Sequence, residues 1–439
     1  MPTSVGPNTK GEENLVFGYD LGDVSNSYKG EPVTNYHDYD KSAMTLTGFN
    51  NWSCYDGNYT ASYHTWGIAQ SKTFVTVDGP DGKDTGAMLY YNFDGGFYGP
   101  TDWGGVPAAI CTAGNKITVQ GWVKAADAAS VGKSVTPYLY FSLNAGGAEA
   151  GAATFYLTEN WQLVSYTHTL SAAANNYNNI LYFFTNAGGP VRMYLTEVAV
   201  LSGKDHAVQW LPGGTTRSAT QGLLDLTGNS TIDLTNVSFD SNAQMEFDGT
   251  NDYIQTTAKI ATTDFQYYDA FTVEVVAEIS ENTGNGYVIS NRAALDTANV
   301  SYTGWGITQV AGELRAIVGG YPGSSYDWRT VTISTSDFTN YVYNKLAHIV
   351  WTNNGVQGGG KLYINGIDRT DSSYDDNTPP YVIQYTNDHK ITIGASAADG
   401  TPVGNLVNGN VPVAKIYNRA LTASEIKSNF NAIKGRFNI

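Results

Sequence analysis

Apolar residues at every second position are the feature of this sequence that most limits its fold. Over residues 271–279, five apolar residues alternate with a second set that contains two glutamates. The apolar set is Phe271, Val273, Val275, Ala277 and Ile279. Because successive side chains of a β-strand point to opposite faces of its sheet, this pattern predicts a strand with one face in a core. Residues 117–124 and 138–143 show the same alternation.

The composition agrees with many short strands joined by turns. The chain has 439 residues, of which 48 are glycine and only 15% are charged, whereas about 25% is typical of soluble proteins. At about 100 to 200 residues per domain, this length predicts two or three domains. One series of strands runs from about residue 44 to 203 and another from about 222 to 420. We predict an all-β protein with two antiparallel jelly-roll or β-sandwich domains.

One helix is predicted, at the C-terminus of the chain. Thr422 can accept a hydrogen bond at the start of a helix, and Glu425 stands three residues later, as in a capping box. Leu421 and Ile426 fit a hydrophobic staple, and Gly435 is a residue type that often ends a helix. We expect this short helix to pack on the second sandwich.

The charge of the chain excludes some partners. The formal net charge is −16, with 24 Lys and Arg and no basic run, so we expect no nucleic-acid partner.

No run of about 20 apolar residues is present, so we expect no membrane insertion. The two cysteines and six scattered histidines do not form a zinc pattern, and we predict no cofactor. Acidic clusters leave calcium binding open, although surface carboxylates more often serve solubility.

No residues in the sequence fit a catalytic arrangement. Glu274 and Glu278 share one strand face, but four residues place their Cα atoms roughly 13 Å apart, and we expect both to face solvent. Glycosidases hold their paired carboxyl groups about 5 to 9.5 Å apart. The chain has no Gly-x-Ser-x-Gly nucleophile motif, and His348 is expected to be packed rather than to act as a base. We predict that the protein is not an enzyme.

The C-terminal half resembles a known family. Several linked segments are similar to those of a laminin-G-like, concanavalin A-type jelly roll over roughly residues 222–439. These segments are 247–254, 271–275, 347–352, 361–366 and 414–426. Versions with the ending Tyr-Asn-Arg-Ala-Leu, which stands here at 417–421, and with a terminal helix resemble structural proteins of tailed phages, particularly large myophages. The resemblance implies a lectin-like fold in a virion protein.

The order of two motifs implies that one domain is inserted in the other. The family often opens with Leu-Val-Phe-x-x-Asp followed closely by Asp-Leu-Thr-Gly-Asn, but here the two motifs begin at Leu15 and Asp225. We therefore predict that strand 14–20 completes a sandwich of residues 206–439. The intervening residues 30–205 resemble a jelly roll of the carbohydrate-binding-module type. A tandem arrangement, with strand 14–20 in the first domain, remains the alternative.

Aromatic residues in Gly-rich loops are the candidate binding residues. Sugar rings present C–H faces that stack on Trp and Tyr, so such loops suit a glycan site. The candidates are Trp66, Tyr98 and Trp103 in the first strand series and Tyr321 and Trp328 in the second. The alternative is that these side chains fill loops or subunit interfaces.

Together these features predict a non-enzymatic virion structural protein, as a tail fibre, baseplate or head-decoration component. Its partners would be other virion proteins, further copies of itself in a homo-oligomer, and host-surface glycans bound weakly. The first thirteen residues lack the apolar core of a signal peptide, so we expect the protein to reach the outside in a particle released from the host cytoplasm. The alternative is a stand-alone carbohydrate-binding adhesin or the binding part of a carbohydrate-active enzyme.

The first thirteen residues are also predicted to be an assembly arm. They are polar, contain Pro and Gly, and show no apolar periodicity, so alone they bury too little surface to offset the entropy of ordering. We expect Val5 and Lys10 to contact a neighbouring subunit. The alternative is an arm that folds back on its own sandwich.

Overall fold

The computed structural model divides the chain into two compact units. It describes residues 13–55, 70–93, 99–174, 179–185, 188–240, 244–280, 284–294, 302–320, 327–375, 382–398 and 401–439. The host unit comprises the described residues of 1–32, 218–240 and 244–439, and the guest unit those of 33–217. No described helix is long and apolar enough to cross a membrane.

The first strand in the described part of the chain, β1 (Leu15–Asp20), belongs to the host unit. The guest unit follows with helices α1 (Tyr39–Ser42) and α2 (Leu46–Asn51) and thirteen strands. The strands are β2 (Val33–Thr34), β3 (Ser53–Tyr55), β4 (Gln70–Asp78), β5 (Asp84–Asn92), β6 (Gly99–Trp103), β7 (Lys116–Ala125), β8 (Ser134–Ser142), β9 (Ala148–Ala152), β10 (Phe155–Tyr156), β11 (Gln162–Thr169), β12 (Ile180–Phe184), β13 (Val191–Ser202) and β14 (Thr216–Arg217).

Two large antiparallel sheets form the sandwich of the described guest unit, beside the two-stranded sheet of β2 and β14. One has the strand order β11-β7-β13-β5-β4, and the other has the order β10-β8-β12-β6-β3, with β9 beside β8. Val119 and Leu195 from the five-stranded sheet share one buried cluster with Leu139 and Phe183 from the other sheet. The guest unit is therefore a sandwich with its core between the sheets.

The rest of the host unit contains helices α3 (Thr335–Tyr341) and α4 (Ala423–Phe437). Its strands are β15 (Ile232–Asp233), β16 (Ser238–Phe239), β17 (Met245–Asp248), β18 (Ile254–Thr256), β19 (Ala270–Ile279), β20 (Asn285–Ala294), β21 (Tyr302–Val310), β22 (Glu313–Gly320), β23 (Asp327–Ile333), β24 (Ala347–Asn354), β25 (Lys361–Ile364), β26 (Ile367–Asp368), β27 (Thr370–Asp375), β28 (Thr392–Ile393), β29 (Ser396–Ala398), β30 (Thr401–Gly404) and β31 (Asn408–Tyr417).

Two eight-stranded sheets form the sandwich of the described host unit, beside the two-stranded sheet of β29 and β30. One has the order β16-β17-β31-β19-β24-β25-β26 with β1 beside β31, and the other has the order β15-β18-β28-β20-β21-β22-β23-β27. Val275 and Trp351 of the first sheet share a buried cluster with Trp305 and Val331 of the second. The predicted all-β class, with antiparallel sandwiches, is confirmed.

Strand β1 pairs with the last strand of the chain. Tyr19 lies opposite Ala414 of β31, and Phe17 and Tyr19 are buried in the host core. The Gly18 amide also donates to Asp225 Oδ1 at 3.0 Å. The two motifs that are far apart in the sequence therefore meet in the structure.

The boundary after the guest unit lies later than the predicted break between residues 205 and 206. Residues 206–217 belong to the guest unit, because β14 pairs with β2 and Val208 and Leu211 pack on Ala199 and Leu201. Polar, Gly-rich composition alone did not reveal these contacts. The predicted arm residues Val5 and Lys10 lie outside the described residues.

Helix α4 begins as predicted and ends later. Thr422 and Glu425 form a complete capping box. The helix continues through Gly435 to Phe437, and Asn438 ends it in the left-handed conformation at φ 56°, with its N–H on the Lys434 carbonyl. Asn is the residue other than Gly that most readily adopts this conformation. Gly435 is therefore a helical residue and not the stop.

Candidate functional site

The candidate site lies on the outer face of the five-stranded sheet of the guest unit. Along β7, Ile117, Val119 and Val123 point into the core, so the residues between them point outward. Trp122 and Lys124 are two of these outward residues, and both are half-buried. Strand β7 therefore presents a large aromatic ring and a cation on the same face.

The chain itself covers one half of this outer face. The Gln120 side chain accepts from the Val208 amide at 2.8 Å and donates to the Val208 carbonyl at 2.9 Å. Val208 and Leu211 are buried together with Leu201 of β13. The open half of the face therefore begins at Trp122 and extends toward the other end of the sheet.

A β-bulge in β13 keeps the open half outward-facing. The pairing of β13 with β7 shifts register between Thr196 and Ala199, and Glu197 at the bulge has a positive φ of 50°. Before the bulge, Met193 and Leu195 point into the core, so Tyr194 points outward beside Lys124, its partner in register.

The bulge residue Glu197 has a shifted pKa. Burial, and then the charge of Asp81, raise the pKa of Glu197 to about 7.

Rings and cations alternate on the open half. The ring centroids of Trp161 and Tyr194 are 6.2 Å apart, and the Lys124 ammonium lies 4.7 Å from the Trp161 centroid and 5.4 Å from that of Tyr194. The Arg192 guanidinium lies 4.3 Å from the centroid of Tyr91. These geometries fall within the range of cation–π contacts.

Neighbouring contacts fix this array in place. Trp161 Nε1 donates to the Asp78 carbonyl at 2.7 Å, which orients the indole. Arg192 lies opposite Tyr91 in register, and Leu163 lies opposite Trp122. We call the residues Tyr91, Trp122, Lys124, Trp161, Arg192 and Tyr194 the aromatic face. Its four rings are all half-buried, so each keeps part of its surface open to solvent.

The host unit contains a buried carboxylate instead of an exposed pair. Glu274 was expected to face solvent, but its side chain is only 4% exposed. Its carboxylate lies 2.7 Å from His348 Nε2 and accepts from Asn429 of α4 at 3.0 Å. Helix α4 thus covers the outer face of β19, a long-range packing that strand alternation could not predict. The expectation for Glu274 is corrected.

Several groups set the protonation of Glu274. Burial alone would raise its pKa, but the hydrogen bond and charge of His348 and the charge of Lys415 hold the pKa at about 2. Tyr417 also donates to the same carboxylate at 3.2 Å. The group is therefore an ionised carboxylate held by donors, which suits a structural role.

Family comparison identifies the host sandwich. Residues 248–427 match the family described as the Concanavalin A-like lectin/glucanases superfamily. This stretch, 180 of the 439 residues, is similar to that family. No curated protein matches the chain.

Among solved structures, the chain is similar to two botulinum neurotoxin structures. One concerns cell entry of botulinum neurotoxin type C and its interaction with two ganglioside molecules, at 16% identity and a TM-score of 0.36, covering 49% of this chain and 50% of that chain. The other is the binding domain of botulinum neurotoxin DC in complex with rat synaptotagmin II, at 16% identity and a TM-score of 0.35, again covering 49% and 50%. The chain spans about half the length of these solved chains.

The structure separates the aromatic residues that the sequence selected. Trp66, Tyr98 and Tyr321 lie outside the described residues. Trp103 ends β6 of the guest unit and is 42% exposed. Trp328 of the host unit, expected in a Gly-rich loop, lies in β23 and is 9% exposed. With so little of Trp328 exposed, its ring has almost no surface for a ligand, and the Arg292 guanidinium lies 4.9 Å from the ring centroid.

The aromatic face itself was not predicted. The search for aromatic residues in Gly-rich loops missed Trp122 and Trp161, because both lie in or beside regular strands. The signal was present in the sequence, since Trp122 and Lys124 alternate with the apolar residues of β7. Exposed aromatic residues at outward positions of a strand are the pattern that would have found the face. Within the described ranges, no three His, Cys, Asp or Glu side chains cluster as metal ligands.

Proposed function

We propose that the protein binds glycans through the aromatic face of its guest unit, without catalysing their cleavage. The observation that carries this proposal is the half-open ring pair of Trp161 and Tyr194, with centroids 6.2 Å apart. The apolar C–H face of a sugar stacks on such rings, and a sheet surface holds them in fixed positions. The concanavalin A-like domain of the host unit supports a lectin-like protein.

Non-enzymatic binding is supported by the state of the carboxylates. Glu274 is occupied by donors from His348, Tyr417 and Asn429. A carboxylate fixed in this way is not available as an acid or a nucleophile. Weak binding per site is expected, because one exposed stacking contact contributes on the order of 1 kcal/mol. Many copies on one scaffold would raise the total affinity.

We further propose that this scaffold is a phage particle, in which the protein is a tail fibre, baseplate or head-decoration component. The support is the sequence resemblance of residues 414–426 and the terminal helix to virion proteins of tailed phages. Quantitative mass spectrometry of purified particles tests this assignment. Hundreds of copies would indicate the head, a handful would indicate a fibre or baseplate, and absence would contradict the proposal.

A glycan array with multimerised protein tests the binding proposal. We expect a restricted set of glycans to bind, and Trp161→Ala to lose most of that binding. Tyr156→Ala is the matched control, because Tyr156 is a 64% exposed aromatic residue of β10, in the other sheet of the guest unit. A blank array, or equal loss in both variants, would contradict binding by the aromatic face. Trp103 stays a predicted additional contact, and Trp103→Ala belongs in the same series.

A further inference from the structure

The aromatic face carries positive charge on a chain that is strongly negative. The formal net charge is −16, yet the two charged residues of the aromatic face are Lys124 and Arg192. Both lie against rings. A cation held over an aromatic ring marks the place where a negatively charged group could approach the same surface.

Lys124 has no carboxylate partner in the described part of the chain. Its ammonium makes its contacts with the rings of Trp161 and Tyr194, at 4.7 and 5.4 Å from their centroids. The side chain is half-buried, which fixes its position more closely than that of a fully exposed lysine. Its ammonium donors remain directed to solvent or to a ligand.

Arg192 is only weakly engaged by its own chain. The one ion pair it makes among the described residues is with Asp127, at 3.9 Å between Nε and Oδ2, and the two side chains are 50% and 39% exposed. An exposed pair at this distance contributes little. A guanidinium that stacks on Tyr91 can still offer its planar N–H groups to a second carboxylate.

The two cations follow each other along the sheet. Lys124 lies opposite Tyr194, and Arg192 precedes Tyr194 by two residues on the same strand. Strand rise and interstrand spacing therefore place the Cα atoms of Lys124 and Arg192 roughly 8 Å apart. A ligand that meets both cations must carry at least two negatively charged groups, one for each.

We propose that the ligand of the aromatic face is an acidic polysaccharide with a carboxylate on successive sugar rings, that is, a uronic-acid polymer. This inference rests on the proposed glycan binding and specifies its ligand class. Sugar rings stack on the face while neighbouring carboxylates meet Lys124 and Arg192. A glycan with one terminal acidic sugar would satisfy only one of these cations, and a neutral glycan would satisfy neither.

Hexagalacturonate and its fully methyl-esterified form are the probes, because esterification removes the negative charges and leaves the sugar backbone unchanged. We expect the full-length protein to bind the acid form roughly three- to tenfold more tightly in calorimetry at low salt, as two exposed ion pairs allow. High salt should remove this difference and leave binding of the ester unchanged. Equal affinity for both forms would overturn the acidic ligand class and leave glycan binding in place.

Variants assign the charge preference to the aromatic face. Lys124→Gln and Arg192→Gln should each reduce the preference for the acid form, and Lys124→Arg should keep it. Lys116→Gln is the control, because Lys116 lies on the same strand outside the aromatic face and pairs with Asp205. An unchanged preference in Lys124→Gln and Arg192→Gln would overturn the inference. If neither probe binds, the inference is also overturned. If the glycan array is blank as well, the proposed function is overturned with it.

Discussion

The imidazole Nε2 of His348 lies 2.7 Å from Oε1 of Glu274, and both side chains are buried under helix α4. A buried carboxylate is stable only when its charge is compensated by such donors. Asn429 of α4 completes the set from the helix side. The pair therefore joins β19, β24 and α4 in one polar contact within the host unit.

The first prediction concerns acid stability. The pKa of Glu274 is held at about 2, below its ordinary value of 4.5, so its contribution is present above pH 4.5 and is lost as the pH falls toward 2. Glu274→Ala should lower the free energy of unfolding at pH 7 by about 3 kcal/mol, since it leaves His348 without its partner. Urea unfolding from pH 7 to pH 3 measures this.

Glu278→Gln is the control for that series, because Glu278 is half-buried on the same strand. It should leave both the stability at pH 7 and its pH dependence nearly unchanged. If Glu274→Ala unfolds with the same pH dependence as the wild type, the ionised Glu274 carboxylate does not set acid stability.

The second prediction concerns Glu197, whose effect on the pH dependence of stability is opposite to that of Glu274. The pKa of Glu197 is raised to about 7 by burial and by Asp81, so the folded state holds this proton more tightly than the unfolded state. Stability should therefore decrease as the pH rises from about 4.5 to 7. Glu197→Gln should remove this decrease, as thermal unfolding across this range would show. A decrease in the variant as steep as in the wild type would contradict the assignment. The exposed Glu159→Gln is the control.

The third prediction concerns the link between the two separated motifs. Asp225 accepts from the amides of Gly18, Thr227, Asn229 and Ser230. Asp225→Ala should cost about 3 kcal/mol in unfolding by urea, because several charge-assisted hydrogen bonds are lost together. Asp233→Ala removes a similar but solvent-exposed contact with Thr235 and should cost less than about 1 kcal/mol. If both variants lowered the free energy of unfolding equally, the hydrogen bond from β1 to Asp225 would contribute no more than an exposed contact.

The fourth prediction concerns the start of α4. Thr422 accepts from the Glu425 amide and completes the capping box. Thr422→Ala should lower the free energy of unfolding by about 1 kcal/mol. Ser424→Ala, an exposed substitution in the first turn that removes no cap, should change it little. Chemical denaturation of the two variants side by side distinguishes a cap from a general effect of alanine.

The sequence was most informative where structure is set locally. The capping box of Thr422 and Glu425 depends on four consecutive residues, and it was predicted correctly. The inward set from Phe271 to Ile279 is buried in the host core, because period-two alternation needs only one strand.

Features set by distant parts of the chain were harder to predict. Glu274 is buried because α4, about 150 residues later in the chain, supplies Asn429 as a donor; the hydrogen bond spans 155 positions. Trp161 and Tyr194 meet only after β7, β11 and β13 pair. The sequence shows that these rings are present, but the strand order that brings them together is a property of the whole sheet.

The pairing of β1 with β31 also affects the order in which the two units can fold while the chain is synthesised. The hydroxyl of Tyr19 donates to the Val411 carbonyl, and these residues are 392 positions apart. A ribosome completes the whole guest unit before it adds the strand that β1 needs. The guest unit can therefore fold first, as earlier domains generally do. A chain truncated before β31 would leave β1 without its partner strand. The unpaired backbone groups of β1 could then pair with another chain and cause aggregation.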